Sequence, residues 1–119
     1  MVAVNDRIEK LVAVLVDAAI RGDEAVMAGD GKQARKYGRI LVKKWESICE
    51  VGDAAKEVLA QHLHHPNPSA RSAVAAFLLK FKHEEAMAVL KELAEGEGLV
   101  PFACQECIKR WEEGTWSLE

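Results

Sequence analysis

Cysteines, aromatic residues and long apolar runs are all scarce in this chain of 119 residues, and each scarcity excludes something. The three cysteines, Cys49, Cys104 and Cys107, are an odd number in a chain large enough to bury a core without covalent staples. Reduced thiols are therefore expected rather than a disulfide framework. No apolar run approaches the roughly 20 residues that span a bilayer, and Leu11 to Val16 lies between Lys10 and Asp17 on a periodic pattern. The N-terminal MVAVNDRIEK is followed by no small-residue cleavage site, so a secretory signal is not expected and the cytoplasm is the expected location. Catalytic signatures are missing too. There is no Ser-His-Asp order, no glycine-rich phosphate loop and no HExxH. The pairs Glu84-Glu85 and Glu112-Glu113 are adjacent, and adjacent residues on a helix point in different directions, so neither is an acid-base couple. An enzyme is not expected.

What is present is a half-hydrophobic chain, enough for one domain with a small core. Its net charge of −3 is unevenly spread. Residues 1–83 carry 13 basic and 10 acidic side chains, whereas residues 84–119 carry 3 basic and 9 acidic. Between residues 32 and 44 stand six Lys or Arg and no acid. Of these, Lys32, Lys36, Arg39 and Lys43 recur at helical spacing on one face, which reads either as a solvated face or as an anion-facing ridge. Nucleic acid is not the expected partner, because the chain is acidic overall and its few aromatics fall among apolar positions rather than along the basic stripe.

Helical periodicity runs through the chain. A first helix is expected over about residues 6–28, where Ile8, Leu11, Leu15, Ala18, Ala19 and Gly22 recur at three and four. Asp6 with Glu9 gives it a capping-box-like start. The apolar stripe keeps its phase across Gly22, so the helix is expected to continue there. Gly29-Asp30-Gly31 reads as a turn with Asp30 as cap, and a second helix follows from 31 to 51, stopped by Gly52. At His65-Pro66-Asn67-Pro68 a turn is defined chemically. Asn67 can accept N–H groups of the next turn, and Pro68 fits the first helical position. Further helices are expected at about 53–64, 68–80 and 83–95, and from near Pro101 to Gly114.

From Asp53 the chain repeats. A shift of 31 residues brings Ala55 onto Ala86, Leu59 onto Leu90, Ala73 and Ala76 onto Cys104 and Cys107, and Phe77 onto Ile108. A fixed offset between two helix pairs is the mark of stacked hairpins. The expected fold is all-α: about six helices in three antiparallel hairpins forming a short right-handed solenoid. It is one domain over residues 1–119, with a divergent first hairpin at 6–51, repeat hairpins at 53–80 and 83–113, and a tail at 114–119. By the same offset, Ala73 and Cys104 are expected to be equivalent helix contacts.

The order of parts in LAQHLHHPNPSARSAVAAFLL, residues 59–79, resembles a HEAT-type repeat: Pro, a small residue and Arg71, then paired alanines and a leucine. Together with AVMAGDGKQARKYGRI in the first half and IKRWEEG near the end, it resembles a small bacterial HEAT-like domain family of unknown function. Some members of that family look like immunity proteins of polymorphic toxin systems. One departure is Gln33, where such sequences often carry Asn. The resemblance implies a protein that binds and neutralises a cognate bacterial toxin by covering its active site. A nuclease or nucleotide-using toxin is the expected kind. The alternative is a non-catalytic adaptor or scaffold, and a third reading is a HEAT-like nucleic-acid-binding protein or DNA glycosylase. The chain is expected to act as a monomer or weak dimer, away from any membrane.

No metal or cofactor is expected. Cys104-Gln105-Glu106-Cys107 lacks the second ligand pair a zinc site needs, and the repeat explains both cysteines as small packing residues. His62, His64 and His65 read as chance neighbours on a turn, with His83 close by. For partner binding, Glu106, Lys109 and Glu113 are expected on one exposed side of the last helix, opposite Ala103, Cys107 and Trp111, with Trp116 as a trailing apolar anchor. Arg35, Arg39 and Lys43 of the basic stripe form the alternative surface, suited to an acidic partner.

Overall fold

A computed structural model describes the backbone of residues 2–116 and the side chains of residues 6–116. The described chain is helical, with no strand: α1 (Val2–Met27), α2 (Gly31–Val51), α3 (Asp53–Ala60) continued by a 3₁₀ turn (Gln61–His64), α4 (Pro68–Leu78), α5 (His83–Ala94) and α6 (Leu99–Glu113). Local chemistry sets most of the helix ends. Gly29 adopts φ +73° and its N–H reaches the Val26 carbonyl at 3.1 Å, while the Asp30 N–H reaches the Ala25 carbonyl at 2.8 Å, which closes α1. The Asp30 carboxylate then accepts the Gln33 N–H at 3.1 Å and opens α2. That short turn lays α2 along α1. At the later turn, Asn67 Oδ1 accepts the N–H groups of Ser69 and Ala70 at 2.8 and 3.2 Å, and Pro68 takes the first position of α4.

Several ends differ from the sequence expectation. Helix α1 begins at Val2 rather than near residue 6, so Asp6 and Glu9 lie within the helix and do not form its start, and α4 ends at Leu78 rather than at 80. The third helix tightens to 3₁₀ winding over Gln61–His64 before Pro66 stops it, with the His65 N–H on the His62 carbonyl at 3.0 Å. And α6 starts at Leu99, two residues before Pro101. Gly98 turns the chain at φ +115°, and Pro101 lies in the first helical turn, where a missing N–H breaks no bond. The first helix does continue through Gly22, as its apolar phase predicts. A Cβ at Gly22 would meet Tyr37 Cβ at 3.5 Å, an ordinary contact, so close approach of α2 does not require glycine there.

The core is apolar throughout, with no buried polar or charged residue among those described. Helix α4 lies at its centre, packed against α1, α3, α5 and α6, and buries Ala70, Val74, Ala75, Phe77 and Leu78. From α1 come Ile8, Val12 and Leu15; from α3 and α5 come Leu59 and Leu90. Helix α2 is peripheral, with Ile48 its one buried residue. Trp45 ties it to α4 by stacking on Phe77, with ring centroids 4.9 Å apart. Lys56 lies over the rings of Trp45 and Phe81, and Lys82 pairs with Glu57 at 3.0 Å. The radius of gyration, 13.9 Å, is close to the roughly 13 Å typical of a compact domain of this length.

The 31-residue offset is matched in burial at two positions of α3 and α5, is not matched at Val58 (half-buried) and Val89 (buried), and fails between α4 and α6. Ala55 and Ala86, like Leu59 and Leu90, are fully buried. Cys104 and Cys107 are buried as well, but Ala73 and Ala76, their expected equivalents, are only half-buried. Ala73 and Cys104 are therefore not equivalent contacts. The reason is packing. With other helices on several sides, α4 turns Val74 and Leu78 into the core and leaves Ala73 and Ala76 on the wall of an open groove.

Candidate partner-binding groove

Between α1 and α2 on one side and α4 and α6 on the other, the core does not close. A cavity of about 580 Å³ remains. Its walls include many short side chains: Ala18, Ala19 and Gly22 of α1, Ala34 and Gly38 of α2, and Ala76 of α4. Helical spacing puts these on facing stripes. Small residues on both sides leave part of the volume unfilled, although Tyr37, Leu41, Phe102 and Trp116 also line it. A Cβ built on Gly38 meets nothing within 4 Å. The cavity shares Asp23, Ser69, Leu99 and Val100 with a second hollow of about 790 Å³ near Met27 and Glu97, so the two form one groove. Large apolar groups are exposed along it: Val26 at 49%, Met27 at 75% and Phe102 at 60%. Asp23, Glu24, Glu97 and Glu106 line its edge against a single cation among the described residues, Arg110.

One end is covered by the segment after α6. Gly114, at φ +76°, ends the helix: its N–H bonds to the Trp111 carbonyl at 3.1 Å, and the Thr115 N–H reaches the Arg110 carbonyl at 2.8 Å. This turn sends the chain back, and Trp116 lands half-buried against the core. Its indole Nε1 is buried there without a hydrogen-bond partner among the described residues. A buried, unpaired donor costs about 1–3 kcal/mol. Burial of the apolar ring offsets this, and the cost disappears when an acceptor arrives.

The groove splits the site set expected from sequence. Glu106 and Trp116 line it, and both are half-buried. Lys109 and Glu113 are exposed and do not line it, and Ala103, expected on the buried side, is exposed. Trp116 is folded back rather than trailing as a free anchor. The spacing of α2 separates its two faces: Ala34, Tyr37, Gly38 and Leu41 line the groove, while Lys32, Lys36, Arg39 and Lys43 fall on the other side. Arg35, Arg39 and Lys43 are exposed and belong to none of the ion pairs among the described residues. Asp23, Tyr37, Gly38 and Phe102 were not anticipated from sequence. The available signal was the pair of glycines within two helical stripes.

The remaining chemistry-bearing groups have structural partners. The Cys104 thiol donates to Ser72 Oγ at 3.3 Å, and burial pushes its pKa up. Burial also pushes the Cys107 thiol up, to about 11, so neither is a ready nucleophile near neutral pH. Cys49 is exposed. His65 Nδ1 accepts the Asn67 N–H at 3.0 Å and so braces the turn before α4. The His62 ring lies 5.8 Å from that of His65, and burial, with a smaller contribution from His65, lowers its pKa. His83 stacks on Trp111 at 5.0 Å, joining the start of α5 to the end of α6. Among the described residues no three His, Cys, Asp or Glu side chains converge as a metal site, and no helix is long and apolar enough to cross a membrane. No family model, curated protein or solved structure matches the chain.

Proposed function

We propose that this chain is a non-catalytic binding protein that neutralises a cognate bacterial toxin by covering its active site, as the HEAT-like resemblance implies. The finer architecture belongs to the same reading: α1–α2, α3–α4 and α5–α6 as three hairpins of a short solenoid. The matched burial of Ala55 with Ala86 and of Leu59 with Leu90 supports it. The observation that carries the function is the apolar groove edged by the carboxylates Asp23, Glu24, Glu97 and Glu106. A toxin acting on phosphate-bearing substrates has a cationic site, and a carboxylate-edged surface is its electrostatic complement. The test is co-expression with the product of the adjacent gene. Growth inhibition by that product, relieved by this chain, supports neutralisation; a neighbour that is harmless alone argues against it.

An adaptor role is the second reading, favoured by the exposed basic face of α2 on the side away from the groove. Two surfaces of opposite charge suit a protein that joins two partners. Reversing Arg35, Arg39 and Lys43 to Glu separates the readings. Toxin protection should survive that change under the first reading, and capture of an acidic second partner should be lost under the other.

A further inference from the structure

We infer that the groove receives a basic amphipathic helix of a protein partner, its apolar face on Val26, Leu99, Val100 and Phe102 and its lysines or arginines against Asp23, Glu24, Glu97 and Glu106. This deepens the proposed binding role and rests on it. Several independent features converge here. The first is unfilled space: Gly38 sits inside α2, where glycine disfavours the helix, yet no neighbouring side chain or backbone atom approaches it. Gly22 opposes it on α1 with only an ordinary contact. Packing within this chain therefore requires neither glycine, and a helix laid in the groove would use the open room above Gly38.

The second feature is exposed apolar surface. Val26, Met27 and Phe102 are each about half or more exposed along one continuous depression, the arrangement into which an amphipathic helix lays its apolar stripe. The third is charge. Among the described residues, four carboxylates against Arg110 select a cationic occupant and disfavour an anionic lipid surface. A second copy docking through the same face would bring the two acidic edges together, so self-pairing there is disfavoured. Finally, the unpaired indole N–H of Trp116 marks the covered end as incomplete. An acceptor on the occupant would satisfy it, either in place or after Trp116 lifts away.

The probe is a synthetic peptide of about 18 residues, five helical turns, with leucine on one face and lysine on the other; a glutamate version is the control. Fluorescence anisotropy with the full chain should show the lysine peptide binding at least about tenfold tighter than the glutamate peptide. The Trp116 indole N–H resonance, assigned by its loss in Trp116→Phe, should shift on binding. Gly38→Leu, which projects a side chain into the groove, should weaken binding about tenfold or more without lowering the melting temperature. Glu24→Lys with Glu97→Lys should also weaken it. Equal binding of both peptides, an unmoved Trp116 resonance, undiminished binding by Gly38→Leu or no binding at about millimolar peptide would each overturn the inference. So would concentration-dependent self-association that competes with the peptide, which would make a second copy the occupant. If the peptide fails while the chain still protects cells from the neighbouring toxin, the groove inference falls and the neutralising role stands. If the peptide binds and the chain gives no protection, the reverse holds.

Discussion

Leu78 of α4 and Lys109 of α6 stand 31 residues apart at matching places in two matching helices, yet Leu78 is fully buried and Lys109 is exposed. The same contrast repeats at Val74 and Gln105. With α1, α3, α5 and α6 around it, α4 needs apolar groups on most of its circumference. Helix α6 packs chiefly on α5 and buries only Cys104 and Cys107. Matching places in the sequence therefore do not fix burial; the number of helices packed around each helix decides how much of its surface is left over for something else. Here the surplus is on α6 and the facing stripe of α2.

The largest expected effect separates the two helices directly. Leu78→Ala should destabilise the fold by about 2–5 kcal/mol, as truncation of a buried leucine does, whereas Lys109→Ala should stay within about 0.5 kcal/mol. Urea melts of the two variants check this, and equal losses would mean that α6 is as enclosed as α4. Next comes overpacking. Cys104→Leu should cost about 1–3 kcal/mol because Cys104 is sealed, while Ala73→Leu should be nearly neutral because Ala73 opens on the groove. Comparable losses in the two melts would restore the equivalence that the sequence offset predicts.

A smaller effect of opposite sign is expected at the glycines. Gly38→Ala, free of contacts, should stabilise by about 0.4–1 kcal/mol in the same assay, and Gly22→Ala by no more. Destabilisation by Gly38→Ala would show that another part of the chain closes on α2 in solution. The smallest effect is the pH dependence contributed by the α6 thiol. Cys107 has its pKa raised by burial from 9.0 to about 11, so the folded chain keeps a proton that the unfolded chain releases at lower pH. Its contribution is full below about pH 9 and is lost as pH rises toward 11. Relative to Cys107→Ala, the wild-type urea midpoint should fall over that interval and run parallel below it.

Most helix ends could be read from sequence because their signals are local. Asp30, Asn67 with Pro68, Gly52 and Gly114 each act within a few residues. The start of α6 was misplaced by two residues because Pro101 is the stronger sequence signal, while the turn is made by Gly98. The groove was the harder part. Its walls come from α1, α2, α4 and α6, and no local pattern states that small residues on separate helices will face one another across an open space. Glu106 and Trp116 were anticipated for their chemistry, but the helical stripe assigned to Glu106 also took in Lys109 and Glu113. The groove is lined by the neighbouring stripe of α6, Leu99, Ala103, Glu106 and Arg110, and so meets only one of the three.

That division permits the most direct test. Glu106 lines the groove and Glu113, on the same helix with the same charge, does not. Binding to the product of the adjacent gene, the proposed partner, should be measured by surface plasmon resonance for Glu106→Lys and Glu113→Lys separately, with melting temperatures recorded for both. The expected result is an affinity at least about tenfold lower for Glu106→Lys and within about twofold of wild type for Glu113→Lys. A loss with Glu113→Lys and none with Glu106→Lys would place the partner on the outer face of α6 and contradict the groove as the binding surface.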